Sequence, residues 1–326
     1  MDLTKRLPPG LALLFLGPVL GELLSGHQSL FEFINPLNFV LTALPYGFAA
    51  IICRELVVRW RKGWSGLVLL GLAFGIYEEF IVARSVWDPN WAELGVLGNY
   101  SYWQGITWTY AEVLIHFHLT ISILSSVVLA GLLYPQRRDD RWVSNRGLIA
   151  CLIGLALWTP VLMILHPFSP PLIGYALSWA AIAGLVYLAW RLPGQVFKAR
   201  PGVVVAPFWY GLIACGNMTL VFWVVFLLPE SNPAWLPAWP LAFALVAFLD
   251  LGAFWVVLLW SGNGSTWDAR DKLALIIGML ALFIVLDVFK DFSEAFGGSS
   301  IVAIVALWGL WRLWLHTGRA RLRKAS

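Results

Sequence analysis

Ionisable residues stand where a lipid-facing helix would not tolerate them. Two apolar runs, LVLLGLAFGIYEEFIVARS and TWTYAEVLIHFHLTISILSS, carry Glu78, Glu79 and Arg84 in the first and Glu112, His116 and His118 in the second. Glu22 interrupts an earlier apolar run, and Asp250 lies ten residues from both Pro240 and Trp260 in a later one. Such a residue costs about 3 kcal/mol or more inside a bilayer unless it is paired, so each marks a site by default. Carboxylates beside imidazoles bind cations and move protons, and a histidine titrating near neutrality makes such binding pH-dependent.

Helical spacing sorts these groups. Glu112 and His116 are i,i+4 and share a face, joined by Thr109, while His118 points nearly opposite and shares its face with Ser122. Glu78 and Glu79 diverge by about 100°, and neither is i,i+3 or i,i+4 from Arg84. These groups therefore look to other helices for partners. At about 1.5 Å per residue, Glu78 lies roughly 21 Å past Trp64, and Glu112 and His116 roughly 6 and 12 Å past Trp108. Glu78, Glu79, Glu112 and His116, with Glu22 as a further wall, are expected in one slab of the outer leaflet.

The candidate site residues for a solute, cation or proton are thus Glu78, Glu79, Glu112, His116, Glu22 and Arg84. Asp250 and His118 are candidates for a proton relay, with an Asn217–Asp250 hydrogen bond as the plainer reading of Asp250. No residue is assigned a catalytic role. The carboxylates and His116 are ligand types that suit a metal. However, there is no H-E-x-x-H, no Glu-x-x-His and no cysteine ligand pattern, so neither metal nor cofactor is named. Glu55 is expected to pair with Arg59 at i+4 and Arg54 to snorkel. Asp287, Lys290, Asp291 and Glu294 read as a self-neutralising helix end, and His166 as an exposed turn residue.

These residues need helices to hold them, and the composition supplies them. The chain has 326 residues, 60% hydrophobic and 12% charged, with 20 Trp; its mean hydropathy is +0.77. A soluble domain carries about 25% charged residues, so this balance indicates membrane residence. The net charge of +4 is spread over short loops and does not indicate nucleic-acid binding. Cys53, Cys151 and Cys215 each lie within apolar runs and read as small buried hydrophobes. The N-terminal run resembles a signal peptide, but Glu22 and the lack of a small-residue cleavage pattern predict a retained helix.

A span needs about 20 apolar residues. Ten candidates follow, at about 9–26, 38–59, 65–84, 107–133, 147–165, 172–191, 207–228, 239–260, 273–290 and 300–316, with Pro18 kinking the first. The predicted fold is an all-α polytopic transmembrane bundle. Lys and Arg gather at the N-terminus, in 59–64, 136–146, 191–200 and 267–272, and in the tail RARLRK, whereas the intervening loops are nearly free of them. This alternation predicts a cell-membrane protein with both termini cytoplasmic. The chain is read as one integral membrane domain, with a polar half (1–134) and an apolar scaffold half (135–326). Loop 85–106, rich in Trp and Tyr with turn signals at Asp88-Pro89 and Gly95 through Gly98, reads as an ordered cap on the outer side.

The run CRELVVRWRKGW, then GIYEEF, then DPNW-x-x-LG-x-LG-x-Y and W-x-G-x-x-W resembles a group of uncharacterised bacterial multi-pass membrane proteins, over about residues 40–135. That resemblance implies the multi-pass fold and no activity. Glu78-Glu79 followed by Arg84, with His116 on the next helix, is also similar to the CPBP (CAAX-type) intramembrane proteases, in which Glu and His activate water. Here the spacing is EE-x4-R, no F-x3-H precedes either histidine, and His118 is followed at +4 by Ser122.

Three functions follow as expectations. The leading one is a transporter or membrane binder of a small solute or cation; the alternatives are an intramembrane hydrolase and a non-catalytic scaffold or assembly subunit. The lipid bilayer is the expected partner, nucleic acid is not, and the oligomeric state is left open.

Overall fold

The computed structural model describes residues 7–95, 97–231, 233–293 and 296–325. Ten long apolar helices follow one another: α1 Pro9–Leu23, α2 Pro36–Arg59, α3 Trp64–Val82, α4 Trp108–Leu133, α5 Asn145–Leu165, α6 Leu172–Arg191, α7 Pro207–Leu227, α8 Trp239–Trp260, α9 Ala269–Ser293 and α10 Ser299–Ala325. Among the described residues, nine of these are long and apolar enough to cross a membrane and α1 is shorter. The fold is therefore the all-α polytopic bundle expected. Helix α10 runs on through the basic segment that the sequence suggested was a tail. Pro18 does not end α1; a π-helical turn, Val19–Leu23, continues it.

Helix α4 is the centre, touching α1, α2, α3, α7, α8 and α9. The most apolar stretches of α3 and α4 are 67% buried, whereas that of α6 is 11% buried, so α6 turns most of its surface outward. Without a hydrophobic drive between helices in lipid, close crossings depend on small residues. Gly71 and Gly75 of α3 lie one turn apart against α4, where a Cβ on Gly75 would fall 3.0 Å from Ile115 Cα. On the other side, Gly47 of α2 lets α1 approach until a Cβ there would sit 2.1 Å from the Leu14 carbonyl oxygen.

Loop 85–106 folds as an ordered cap. It contains a two-stranded hairpin (β1 Tyr102–Trp103, β2 Ile106–Thr107), and Trp87 and Leu97 are buried beneath it with Tyr110, Val221 and Val246. The Trp87 indole donates to the Phe80 carbonyl at 2.9 Å, and the Tyr100 hydroxyl to that of Pro237 at 2.7 Å. Thr109, expected on the face of Glu112, turns instead to this loop and meets the Ser101 hydroxyl at 2.7 Å.

Another expectation changes. Arg54 does not snorkel: it is 3% exposed, bound to Glu55 and to the Arg138 and Asp140 carbonyls, with its guanidinium 3.7 Å above the Trp142 ring. The Glu55–Arg59 pair is present at 3.1 Å. At the end of α9 the described charges also serve the backbone. Asp291 accepts from the Gly297 and Ser300 amides, Lys290 donates to the Gly26 carbonyl at 2.5 Å, and Asp287 is buried beside Gly26. Glu294 lies outside the described residues.

Candidate functional site

The expected slab divides into two polar centres on opposite faces of α4. His116 and His118 cause the division: two residues apart on a helix, they point in nearly opposite directions. The structure pairs His118 with α3 and His116 with α8.

The first centre lies among α1, α2, α3 and α4. His118 Nε2 is 2.7 Å from Glu79 Oε1, and its Nδ1 is 3.2 Å from the Ser122 hydroxyl. The second oxygen of Glu79 accepts from the Ser85 hydroxyl. Glu78, Glu79 and Glu22 are 9%, 6% and 4% exposed, and the Tyr46 ring packs against Gly21 beside Glu22. Glu22 Oε2 is buried without a hydrogen-bond partner and lies 3.9 Å from His27 Nε2. The other ring nitrogen of His27 is 3.3 Å from Glu93, whose carboxylate accepts from Tyr110 at 3.2 Å.

Local helix geometry sets these positions. Gly71, Gly75 and Glu79 form one i,i+4 row on α3, so the glycines that bring α4 close also deliver Glu79 to His118. The acidic and imidazole groups then sit on π-helical turns: Glu22 in Val19–Leu23, Glu78 and Glu79 in Tyr77–Val82, His118 and Ser122 in His118–Ser125. The Ala83 amide, for example, bonds the Glu78 carbonyl five residues back at 2.8 Å. Such turns disturb the regular hydrogen-bond ladder and are found mostly at functional sites.

The second centre faces a partly open cavity of about 550 Å³ lined by α3, α4, α7, α8 and α9. Its walls are mostly apolar and carry His116, Asn217 and Asp250, with Glu112 one turn nearer the Trp108 end. Asp250 Oδ1 is 3.0 Å from His116 Nδ1 and accepts from Asn217 Nδ2 at 2.8 Å. Glu112 Oε2, His116 Nε2 and Asn217 Oδ1 are buried without partners. The cavity follows α4 from Trp108 to Val128, a rise of roughly 30 Å, comparable to the hydrocarbon thickness of a bilayer. Aromatic contacts hold α8 over it at both ends: Phe243 on Trp108, Phe254 on Trp64.

Arg84 joins neither centre. It has a left-handed φ of 59° just past α3 and its guanidinium binds the carbonyls of Leu162, His166 and Phe168. His166 is exposed and contributes its backbone there, with its ring 5.3 Å from that of Trp91. Among the described residues, no three His, Cys, Asp or Glu side chains converge to hold a metal. Tyr46, Ser85, His27 and Glu93 are members that the sequence reading missed. The row Gly71, Gly75, Glu79 was the available signal for the α3–α4 register; nothing local marks His27 or Glu93.

A model described as an uncharacterized membrane protein family matches residues 11–320. No curated protein and no solved structure matches the chain. With the match running over nearly all of the helical bundle, the chain belongs to that uncharacterized membrane protein family.

Proposed function

We propose that this protein binds, and carries through the bilayer, a small amphipathic solute whose apolar body bears a cationic or hydrogen-bond-donating group. The observation that carries this reading is the α4–α8 cavity, mostly apolar, with Glu112, His116, Asn217 and Asp250 clustered on its wall. Ligand sites of about 300–1,000 Å³ with few convergent polar groups are the usual pattern for small molecules. Lys272 lines the far end of the cavity, and around His116 two carboxylates stand against one imidazole, which favours a cationic or donating group over an anion there. The partnerless oxygens of Glu112 and Asn217 are acceptors suited to it. The length of the cavity favours passage over simple capture. By the distribution of Lys and Arg, the cap lies outside the cell and both termini lie in the cytoplasm of a bacterial cell.

The hydrolase expected from the sequence used a carboxylate and His116 to activate water; a different one would draw on the Ser122–His118–Glu79 chain, which has the connectivity of a nucleophile, base and acid. Against it, Ser122 is fully buried under α1, where a Cβ on Gly21 would fall 3.1 Å from its hydroxyl. A carbonyl substrate has no approach there. A scaffold of paired charges leaves the partnerless groups of the cavity without a role.

The test uses tetraphenylphosphonium as the cationic probe and triphenylphosphine oxide as its uncharged counterpart, with full-length protein in lipid nanodiscs. Saturable binding of the cation is expected, weakened at least tenfold by Glu112→Gln and by Asp250→Asn. A tenfold loss corresponds to about 1.4 kcal/mol. Equal binding of both probes, or no change in either variant, overturns the reading.

A further inference from the structure

The first centre holds more acid than its bases can neutralise. Glu79 and His118 form a self-sufficient pair at 2.7 Å, with Ser85 and Ser122 completing it. Glu22 and Glu78 remain, both buried, and the further base near them is His27, half exposed, 3.9 Å from Glu22 and shared with Glu93. The basic side chains nearest in sequence to this end of the bundle are committed elsewhere: Arg84 to carbonyls of 162–168, Lys290 to the Gly26 carbonyl. Buried carboxylates side by side do not all ionise. An excess of carboxyls over cations in a dry interior holds protons.

We propose that Glu22, Glu78, Glu79 and His118 form a proton-binding site, loaded through His27 from the Glu93 side and separate from the solute cavity. The observation that points to a ligand is Glu22 Oε2, which is buried, has no hydrogen-bond partner, and is the oxygen turned toward His27 Nε2 at 3.9 Å. His27 is half exposed, so it can take a proton from solvent. In the loading step the N–H bond at His27 Nε2 breaks and an O–H bond forms at Glu22 Oε2. The electron pair stays on the imidazole, which becomes neutral and is protonated again from solvent. The 3.9 Å gap is closed by a side-chain shift or spanned by one water. From Glu22 the proposed path continues past Tyr46 to Glu78, by a side-chain shift or a bridging water, and the next residue, Glu79, meets His118 at 2.7 Å.

The groups facing this path from each neighbouring element are Glu22 on α1, Tyr46 on α2, Glu78 and Glu79 on α3, and Tyr110 and His118 on α4. His27 and Glu93 face it from the loops, and Asp287 and Lys290 from α9. His118 starts the π-helical turn of α4 two residues after His116, so the same short segment faces both centres. A proton arriving at His118 therefore acts on the segment that holds the cavity's imidazole. That coupling, unlike the site itself, rests on the cavity reading.

Infrared difference spectroscopy of the full-length protein in nanodiscs tests the site. At neutral pH the wild type should show the C=O stretch of protonated, buried carboxylic acids, shifting down in D2O and fading as pH rises. Glu22→Gln and Glu78→Gln should each remove part of that band. His27→Gln should keep the band but slow its exchange into D2O severalfold. Absence of the band in the wild type, a band unchanged in both Glu variants, or unchanged exchange in His27→Gln overturns the proposal. The wild-type and His27→Gln spectra decide the matter even if the Glu variants do not fold. Phosphonium binding is not used, so failure of the cavity reading leaves this result standing, and the reverse.

Discussion

His27 is the titratable residue through which the first centre meets solvent. Glu22 in its ionised state, before it takes up a proton, and secondarily Glu93 raise the His27 imidazole above the ordinary value, with partial burial opposing them. A raised value in the folded protein means that the charged form is favoured by folding. The resulting stability is complete below the ordinary value of about 6.5 and is lost as pH rises through the raised value. Because the side chain is 50% exposed, solvent screening keeps the effect small. The expected outcome is a wild-type midpoint that falls, relative to His27→Gln, as pH is taken from mildly acid to mildly alkaline. Thermal unfolding followed by tryptophan fluorescence checks it; parallel curves refute the pairing.

Helix crossings fix which residues can meet, and glycine decides how close the crossings are. On α3, Gly75 sits against α4 backbone, with its ideal Cβ position 3.0 Å from Ile115 Cα and 3.3 Å from the Ile115 oxygen. Gly71 instead faces the tip of Leu119, at 2.7 Å, with backbone no nearer than 3.5 Å. A side-chain tip yields to an added methyl, whereas backbone moves only with its helix. Gly75→Ala should therefore destabilise by about 1–3 kcal/mol, the usual cost of overpacking, and Gly71→Ala by less. Gly75→Ala should also lengthen the Glu79–His118 contact. Equal melting points for the two variants would show that α3 and α4 do not meet as described.

The whole molecule is organised around α4, with a sealed acidic centre on one face and a long apolar cavity on the other. Helices α5 and α6 lie at the periphery and carry few buried residues, as elements facing lipid do. The proposed orientation puts the cap and the cavity's Trp108 end outside and its Lys272 end inside. Single cysteines test this in a Cys215→Ser background, since Cys53 and Cys151 are buried. Ala92→Cys, in the cap, should react with an impermeant maleimide in intact cells. Asp139→Cys, at a position 87% exposed in the α4–α5 loop, should react only after permeabilisation. The reverse pattern would invert the topology.

Sequence by itself determined the helices and many of their limits, though not the extension of α10 to Ala325. Apolar length and turn residues act locally: the span read at 107–133 is found at Trp108–Leu133, and that at 172–191 at Leu172–Arg191. The i,i+4 partners Glu55–Arg59 and His118–Ser122 were legible for the same reason. The Asn217–Asp250 bond was legible from equal depth on neighbouring helices. Depth, however, says nothing of azimuth. Glu78, Glu79, Glu112 and His116 do lie on helices that meet, but only the rotation of α4 sends His118 to Glu79 and His116 to Asp250. That rotation is set by contacts among α1, α3, α4 and α8, and by π-helical turns that shift register partway along a helix. Arg84 shows the same limit: its partners are carbonyls of the last turn of α5 and the loop after it, some 80 residues away, which no spacing rule on its own helix would supply.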